Sequence, residues 1–250
     1  MQRVSPLKPS QRDLLIKSFC NDVTATQAAK FAGVDRNTAN LWFSIIRQII
    51  IENSKQSPRF KGTVEMDQAF FGRKRKKKAD RRPVKHGLNY GLMGVGFRSG
   101  WRKGENVPED LIQVFGILER GKPNRIYTHI VQKGDRKTLI PIVHLVVEGK
   151  STIYSDAHRS FDNIRLSGYK HGVINKKQHF VSMNSTVIKP LKSTHVNTIE
   201  SFWGWAKERL RKFRGIRRTA YPIHIKECEF RYNHKKDLEG TLRHLIKQRD

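Results

Sequence analysis

The sequence predicts an α/β fold, a mixed sheet flanked by helices, preceded by a small all-α unit. Three observations carry that expectation. Residues 10–50 show only helical apolar spacing, and residues 63–72 switch to strand-like alternation. From there strands and helices follow one another in the rhythm of a layered α/β protein. The chain of 250 residues is also strongly basic, with 50 Lys+Arg against 22 Asp+Glu and a formal net charge of +28. Solubility needs far less. An excess of this size points to a polyanion, most often nucleic acid; a ribosome-type or membrane-surface binder is the plainer alternative.

No apolar run approaches the roughly 18 residues that a membrane span needs. Residues 1–6 lack the apolar core of a signal peptide. The expected location is therefore intracellular, where DNA is: the cytoplasm or nucleoid of a bacterium, or a nucleus, with no membrane partner. Cys20 and Cys228 lie far apart with no metal-ligand pattern and read as buried thiols.

The all-α unit comes first. Residues 10–20 open on Ser10 as a cap and keep helical spacing. Residues 24–32 make a short second helix, and Gly33 and Val34 a turn. Asp35 caps a third helix whose apolar face is Leu41, Trp42, Ile45, Ile46, Ile49 and Ile50. Three short helices around a glycine-containing turn fit a helix-turn-helix, with Arg36, Asn37, Thr38 and Asn40 opening the recognition helix. A plain helical cap on the next domain fits as well.

Residues 52–61 are polar and read as a linker. In residues 62–72 alternation turns Val64 and Met66 one way, and Asp67 interrupts an otherwise apolar setting. A carboxylate on a central strand is costly unless it binds a cation or is paired; an exposed strand-end aspartate is the other reading. Eight of the next ten residues, 73–82, are basic, among them Arg73, Lys74 and Arg75. Like charges repel, so this is a loop, either neutralising phosphates or simply solvated. Residues 83–110 are Gly-rich and resist assignment.

Residues 111–118 and 125–131 read as two strands joined by a turn at residues 121–124. Residues 135–147 form a helix with Leu139, Ile142, Val143 and Val146 inward, ending at Gly149. Residues 151–156 are a strand that finishes on Asp156, and residues 169–175 a short strand containing His171. A three-stranded meander, a helix and a further strand is the order of the ribonuclease-H-like fold.

The last helix starts near Asn197, which can cap it, with Glu200 in the acidic place of a capping box. Ile199, Phe202, Trp203 and Ala206 recur at helical spacing. Glu200 and Lys207, seven residues apart, return to nearly one face. They are either a surface ion pair or the end of a catalytic site. Of Trp203 and Trp205, at least one faces the core. The stretch from Lys207 to Arg218, including Arg211 and Lys212, should track a DNA backbone.

Asp67, Asp156 and Glu200 thus stand on two strands and a helix. Three acids drawn from separate elements suit a shared pair of divalent ions, the usual means of cutting and joining phosphodiesters. Such spacings alone are weak evidence, and the motifs around them say more. Residues 64–72 followed by a basic run, residues 153–161, and the third block from His195 through Asn197, Glu200 and Trp203 to Lys207 resemble, in order, the catalytic blocks of IS1595-family insertion-sequence transposases. Residues 210–216 and 226–233 are similar to its IS1016-like branch.

The resemblance covers residues 62–234 and implies a DDE-type transposase on a ribonuclease-H-like fold. It implies that Asp67, Asp156 and Glu200 hold two Mg²⁺ ions, with Mn²⁺ able to substitute. Asn197 is the alternative third residue, His195 orders the site by a hydrogen bond, and Lys207 meets phosphate near the scissile bond. The implied partners are double-stranded DNA, as terminal inverted repeats and target, and a second copy of the chain or a higher assembly. Two departures stand out. Residues 83–110 look longer than the family pattern, and the N-terminus lacks the cysteine cluster of the zinc-binding N-terminus of many relatives, a helix-turn-helix reading taking its place.

The expected organisation is a helix-turn-helix-like DNA-binding domain at 1–52, a linker at 53–62, a catalytic domain at 63–236 with an insert at about 73–110, and a basic tail at 237–250. The alternative function is a catalytically inactive, domesticated relative that binds DNA through the same basic surface. In the active reading Asn197 holds the helix start, Glu200 faces the metals and Lys207 faces the DNA.

Overall fold

The computed structural model describes residues 7–54, 59–72, 111–156, 168–174, 196–213 and 215–249. The expectations for Arg73, Lys74, Arg75, the insert at 73–110 and His195 lie outside these residues.

Three helices lead the chain: α1 (Pro9–Cys20), α2 (Ala25–Ala32) and α3 (Arg36–Ser54). Helix α1 starts on Lys8, not on Ser10. Pro9 takes the first helical position, where a missing N–H is harmless, and Gln11 accepts from the Lys8 N–H at 3.1 Å. Thr24 caps α2, and Gly33, at φ 61°, ends it in the left-handed conformation. Asp35 accepts from the Asn37 N–H at 2.7 Å at the start of α3.

The buried side of α3 is rotated from the expected one. Ile46, Ile49 and Ile50 are buried, but so are Ala39 and Phe43, while Leu41, Trp42 and Ile45 are half-buried. Apolar residues run around most of this helix, so spacing cannot choose the face. The edge-on contact of Phe43 with Phe19, 5.2 Å between ring centres, chooses it.

The expected tail is instead a helix, α7 (Leu238–Arg249), preceded by α6 (Tyr221–Asn233). Leu242, Leu245 and Ile246 are at helical spacing and share one core with Phe230, Leu15, Phe19, Phe43 and Ile46. The expected linker is also occupied at both ends. Helix α3 runs to Ser54, and Phe60 is buried and bridged to Val147.

The sheet contains β1 (Thr63–Gly72), β2 (Leu111–Glu119), β3 (Arg125–Val131), β4 (Thr152–Asp156) and β5 (Lys170–Ile174), in the order β3-β2-β1-β4-β5. The first three pair antiparallel, and β4 and β5 run parallel to β1. This is the ribonuclease-H-like arrangement. Helix α4 (Arg136–Val146) covers one face, burying Leu139 and Val143 against Val64, Met66, Phe115 and Ile117. It stops at Val146 rather than Gly149, because Val147 turns extended to meet Phe60. Helix α5 (Asn197–Arg211) and α6 cover the other face.

Along β3, at the edge of the sheet, α6 side chains satisfy the outward backbone. Asn233 accepts from and donates to Ile126, both at 2.8 Å, and Glu229 accepts from the Thr128 N–H at 2.6 Å. An otherwise exposed template for strand addition is covered.

The helical core and the sheet layer meet on buried charge. Glu227 of α6 is 1% exposed and accepts from Arg47 of α3 at 2.8 Å, from Arg231 at 2.9 Å and from Arg209 of α5. Arg209 also donates to Asp22 at 2.6 Å, and Arg231 reaches the last carbonyls of α1, Phe19 at 2.5 Å and Cys20 at 3.0 Å. Asp22 sits in the left-handed region, at φ 59°, which a short polar side chain tolerates. Burial alone would raise the Glu227 pKa. The neighbouring His224 imidazole, 3.8 Å away, and the charges of Arg209, Arg47 and Arg231 outweigh it and hold the carboxyl well below its usual range.

Removing one member of such a buried set leaves the others uncompensated. Glu227→Gln should therefore lower stability by about 3–5 kcal/mol in urea unfolding. A loss below about 1 kcal/mol would show that the arginines find other partners. The sign in pH follows from the depressed folded pKa: this stabilisation is complete at neutral pH and is lost as pH falls below the ordinary 4.5 towards the folded value. The stability difference between wild type and Glu227→Gln should shrink over that acid range.

Candidate active site

Side chains alternate across a strand, so β1 divides its residues between the two layers. Val64 and Met66 turn to α4, while Glu65, Asp67, Ala69 and Phe71 lie on the α5 side. The parallel pairing of β1 with β4 matches Thr63 with Thr152 and proceeds to Met66 opposite Ser155. On the next rung Asp67 falls beside Asp156, the last residue of β4. Neighbouring strands lie about 4.8 Å apart. Two carboxylates therefore stand side by side, Asp67 midway along β1 and Asp156 at the carboxyl end of β4.

Helix α5 runs over this face with its first turn above Glu65 and its third above Phe71. Glu65 accepts from the Ile199 N–H at 2.9 Å. Trp203 packs edge-on against Phe71 at 5.9 Å between ring centres, and the Lys207 ammonium lies 5.8 Å from the same ring centre. Burial of that ammonium pulls its pKa below the ordinary value, and the Asp67 charge pulls it back up. The Lys207 charge thus lies within electrostatic reach of Asp67. Glu200 and Trp203 are on the same stripe of the helix as Lys207.

The expected division of labour at the helix start is corrected. Val196 is the N-cap, and its side chain makes no capping bond. Asn197 is the first helical residue, so the capping box fails by one position. The acceptor comes from Glu65 on β1, and no local pattern could announce it. Glu65 is 0% exposed and its other oxygen accepts from the Arg120 Nε at 2.6 Å. Arg120 lies over the Tyr154 ring, 5.3 Å from its centre.

A second unanticipated feature is Gly116, opposite Asp67 on β2. A Cβ there would come within 2.8 Å of Trp203 Cη2 and 3.1 Å of Ile199 Cδ1. The missing side chain leaves room for the Trp203 indole against β2, opposite Asp67.

Divalent ions such as Mg²⁺ take hard, anionic oxygens. Asp156 fits: its Oδ1 is buried with no hydrogen-bond partner among the described residues. Such an orphaned carboxylate oxygen is costly without a cation. Among the described residues, no three His, Cys, Asp or Glu side chains close into a ligand group, so Glu200 does not join the two aspartates in a tight trio. His171 of β5 lies nearby through Ser155, with Nε2 and Oγ 2.8 Å apart.

The remaining expected contacts divide. Arg36 and Asn37 are exposed at the start of α3. Arg211 is exposed and paired with Glu208 at 2.5 Å. Lys212 is tied to Asp22, donating to its carbonyl at 2.6 Å as well as to its carboxylate, and so serves the fold. Arg209, from the same basic stretch, is buried. Trp203 is the core tryptophan, and Trp205, 40% exposed, rests on Phe202 and Tyr232. Cys228 is buried and Cys20 half-buried, and burial pushes both thiols up to about 11. No described helix is long and apolar enough to cross a membrane.

A mixed sheet of this order, flanked by helices on both faces, defines the ribonuclease-H-like class. Within that class the chain belongs to the ISXO2-like transposase domain family, whose model matches residues 59–233. An uncharacterized transposase-like protein of Haemophilus influenzae is 33% identical over 125 residues, covering 49% of this chain and 94% of that protein. Among solved structures, the Mos1 transposase paired-end complex with left transposon end aligns at 9% identity and a TM-score of 0.29, covering 99% of this chain and 81% of that one. The Mos1 strand transfer complex aligns at 10% identity and a TM-score of 0.27, covering 99% and 80%.

The close approach at Gly116 is directly testable. Gly116→Ala should displace Trp203 and lower stability by about 1–3 kcal/mol, the usual cost of overpacking. An unchanged urea midpoint would mean that the indole has room to shift.

Proposed function

We propose that this chain is an active DDE-type transposase that binds the terminal inverted repeats of its element, cleaves at their ends and joins the 3′-OH produced to target DNA. The observation that carries this reading is the register of β1 and β4, which runs on to Asp67 beside Asp156, with an Asp156 oxygen that is buried and has no hydrogen-bond partner among the described residues. Asp67 and Asp156 would hold a pair of Mg²⁺ ions, Mn²⁺ being able to substitute, and Glu200 on the stripe above them is the acid that would complete the set. Bound there, the ions supply activation of the attacking hydroxyl and charge stabilisation at the leaving 3′ oxygen.

The chain's own residues do the rest. Lys207, 5.8 Å from the Phe71 ring centre and in electrostatic reach of Asp67, would take the phosphate of the scissile strand. Trp203 excludes water from the sheet beneath it. Arg36 and Asn37, exposed at the start of α3, would meet DNA, and Arg211 would extend the basic surface. Two transposon ends must be brought together before joining, so a homodimer or a higher assembly on DNA is part of the proposal.

The test is cleavage of DNA carrying the inverted repeats, in Mg²⁺ or Mn²⁺, followed by a search for strand-transfer products. Wild type should cut and join, and Asp67→Ala and Asp156→Ala should reduce cleavage at least a hundredfold. If wild type and Asp156→Ala behave alike, the chain is a DNA-binding relative without this chemistry. Cutting without joining would make it a nuclease. Lys207→Ala should also lower the slope of log affinity against log salt by about 0.9, the release expected for one phosphate contact. An unchanged slope would place Lys207 off the DNA.

A further inference from the structure

We infer that Glu65 is a positioning residue for the metal site: its carboxylate fixes the first turn of α5 and thereby sets Glu200 and Lys207 over Asp67 and Asp156. The inference rests on the metal-dependent reading above. Glu65 lies two residues before Asp67 on the same strand and the same face, and it is fully buried. A buried carboxylate has to be compensated. Its two oxygens have separate partners, the Ile199 N–H at 2.9 Å and the Arg120 guanidinium at 2.6 Å.

The consequences are geometric. The first N–H groups of a helix have no partner within it, and a buried helix start needs an external acceptor. Val196, the N-cap, supplies no side-chain oxygen. Glu65 therefore does what a local cap would do, but from β1. A local cap would fix only the helix to its own preceding loop. This one fixes the helix to the strand that carries Asp67, across 134 residues of sequence. Glu200 is the residue after Ile199, so its backbone is set one residue from the anchored amide.

Arg120 makes the arrangement rigid. Its guanidinium holds the second oxygen and rests on Tyr154, a β4 residue two before Asp156. Through Glu65 and Arg120 the three acid-bearing elements β1, β4 and α5 are referred to one carboxylate. Glu65 touches no reacting atom in this arrangement. It acts through the placement of Glu200 and Lys207.

The test uses the full chain and Mn²⁺ uptake, followed by the electron paramagnetic resonance signal of free Mn²⁺, together with hydrogen exchange at the Ile199 amide. Replacing a buried ion pair by apolar groups of similar size often keeps a protein folded, whereas removing one partner does not. The informative variants are therefore doubles. Glu65→Leu with Arg120→Met removes the capping oxygen without leaving a lone charge. Glu65→Gln with Arg120→Met keeps a neutral capping oxygen. The first should weaken Mn²⁺ uptake about tenfold or more, in the range of supporting residues at metal sites, and speed exchange at Ile199. The second should recover most of both, by rescue with the conservative side chain. Mn²⁺ uptake equal to wild type in the Leu/Met double would overturn the inference, as would a Gln/Met double as impaired as the Leu/Met one. A wild type that takes up no more Mn²⁺ than Asp67→Ala would instead overturn the metal reading of the site, and the role of Glu65 with it.

Discussion

Parallel pairing between β1 and β4 is the constraint on which the site depends. Antiparallel neighbours are placed by a hairpin, but parallel neighbours need a crossover, here through β2, β3 and α4. The register reached after that excursion matches Met66 with Ser155 and, carried one rung further, brings two aspartates 89 residues apart in the chain (67 and 156) side by side. A slip of one residue would turn every side chain of β4 to the opposite face and send Asp156 into the apolar layer under α4. The buried sets on the two faces, Val64 and Met66 on one side, Ala69, Phe71 and Tyr154 on the other, oppose such a slip.

The second organising force is the compensation of buried charge. Two carboxylates, Glu65 and Glu227, are almost wholly removed from water, and each is surrounded by donors drawn from other elements. Glu65 joins β1, β2's end and α5. Glu227 joins α3, α5 and α6, and through Asp22 the end of α1. Desolvated ions are weak contributors to net stability but severe judges of geometry, since a misplaced partner leaves a charge exposed to a low dielectric. This explains why elements far apart in sequence meet in one arrangement.

Much of this was legible in the sequence. The alternation at residues 63–72, the helical repeat of Ile199, Phe202, Trp203 and Ala206, and the strand ending on Asp156 all have local signals, and the structure follows them. What was illegible is what depends on partners distant in sequence. Asn197 has the chemistry of a cap and Glu200 the spacing of a capping box, yet the acceptor is Glu65, supplied by a neighbouring strand. The basic run after Lys207 reads as a uniform DNA-facing surface. Composition cannot tell that Arg209 faces Glu227 and Lys212 faces Asp22. Helix α7 was hidden for the same reason, its four apolar residues being outvoted by charged neighbours until α1 and α3 provide a surface for them. Gly116 carries no signal at all, since its need is set by Trp203 on another element.

The sharing of one core by the two ends of the chain has a consequence for biosynthesis. Helices α1 to α3 are made before the sheet, but Phe230, Leu242, Leu245 and Ile246, which complete their apolar core, are made after it. Arg231, which receives the carbonyls at the end of α1, is equally late. The leading helices must therefore wait, with apolar surface open, while the whole sheet is synthesised. A chain that stops before Phe230 would keep the five described strands and both aspartates but have an unfinished helical unit, and such a chain is a natural substrate for chaperones and proteases.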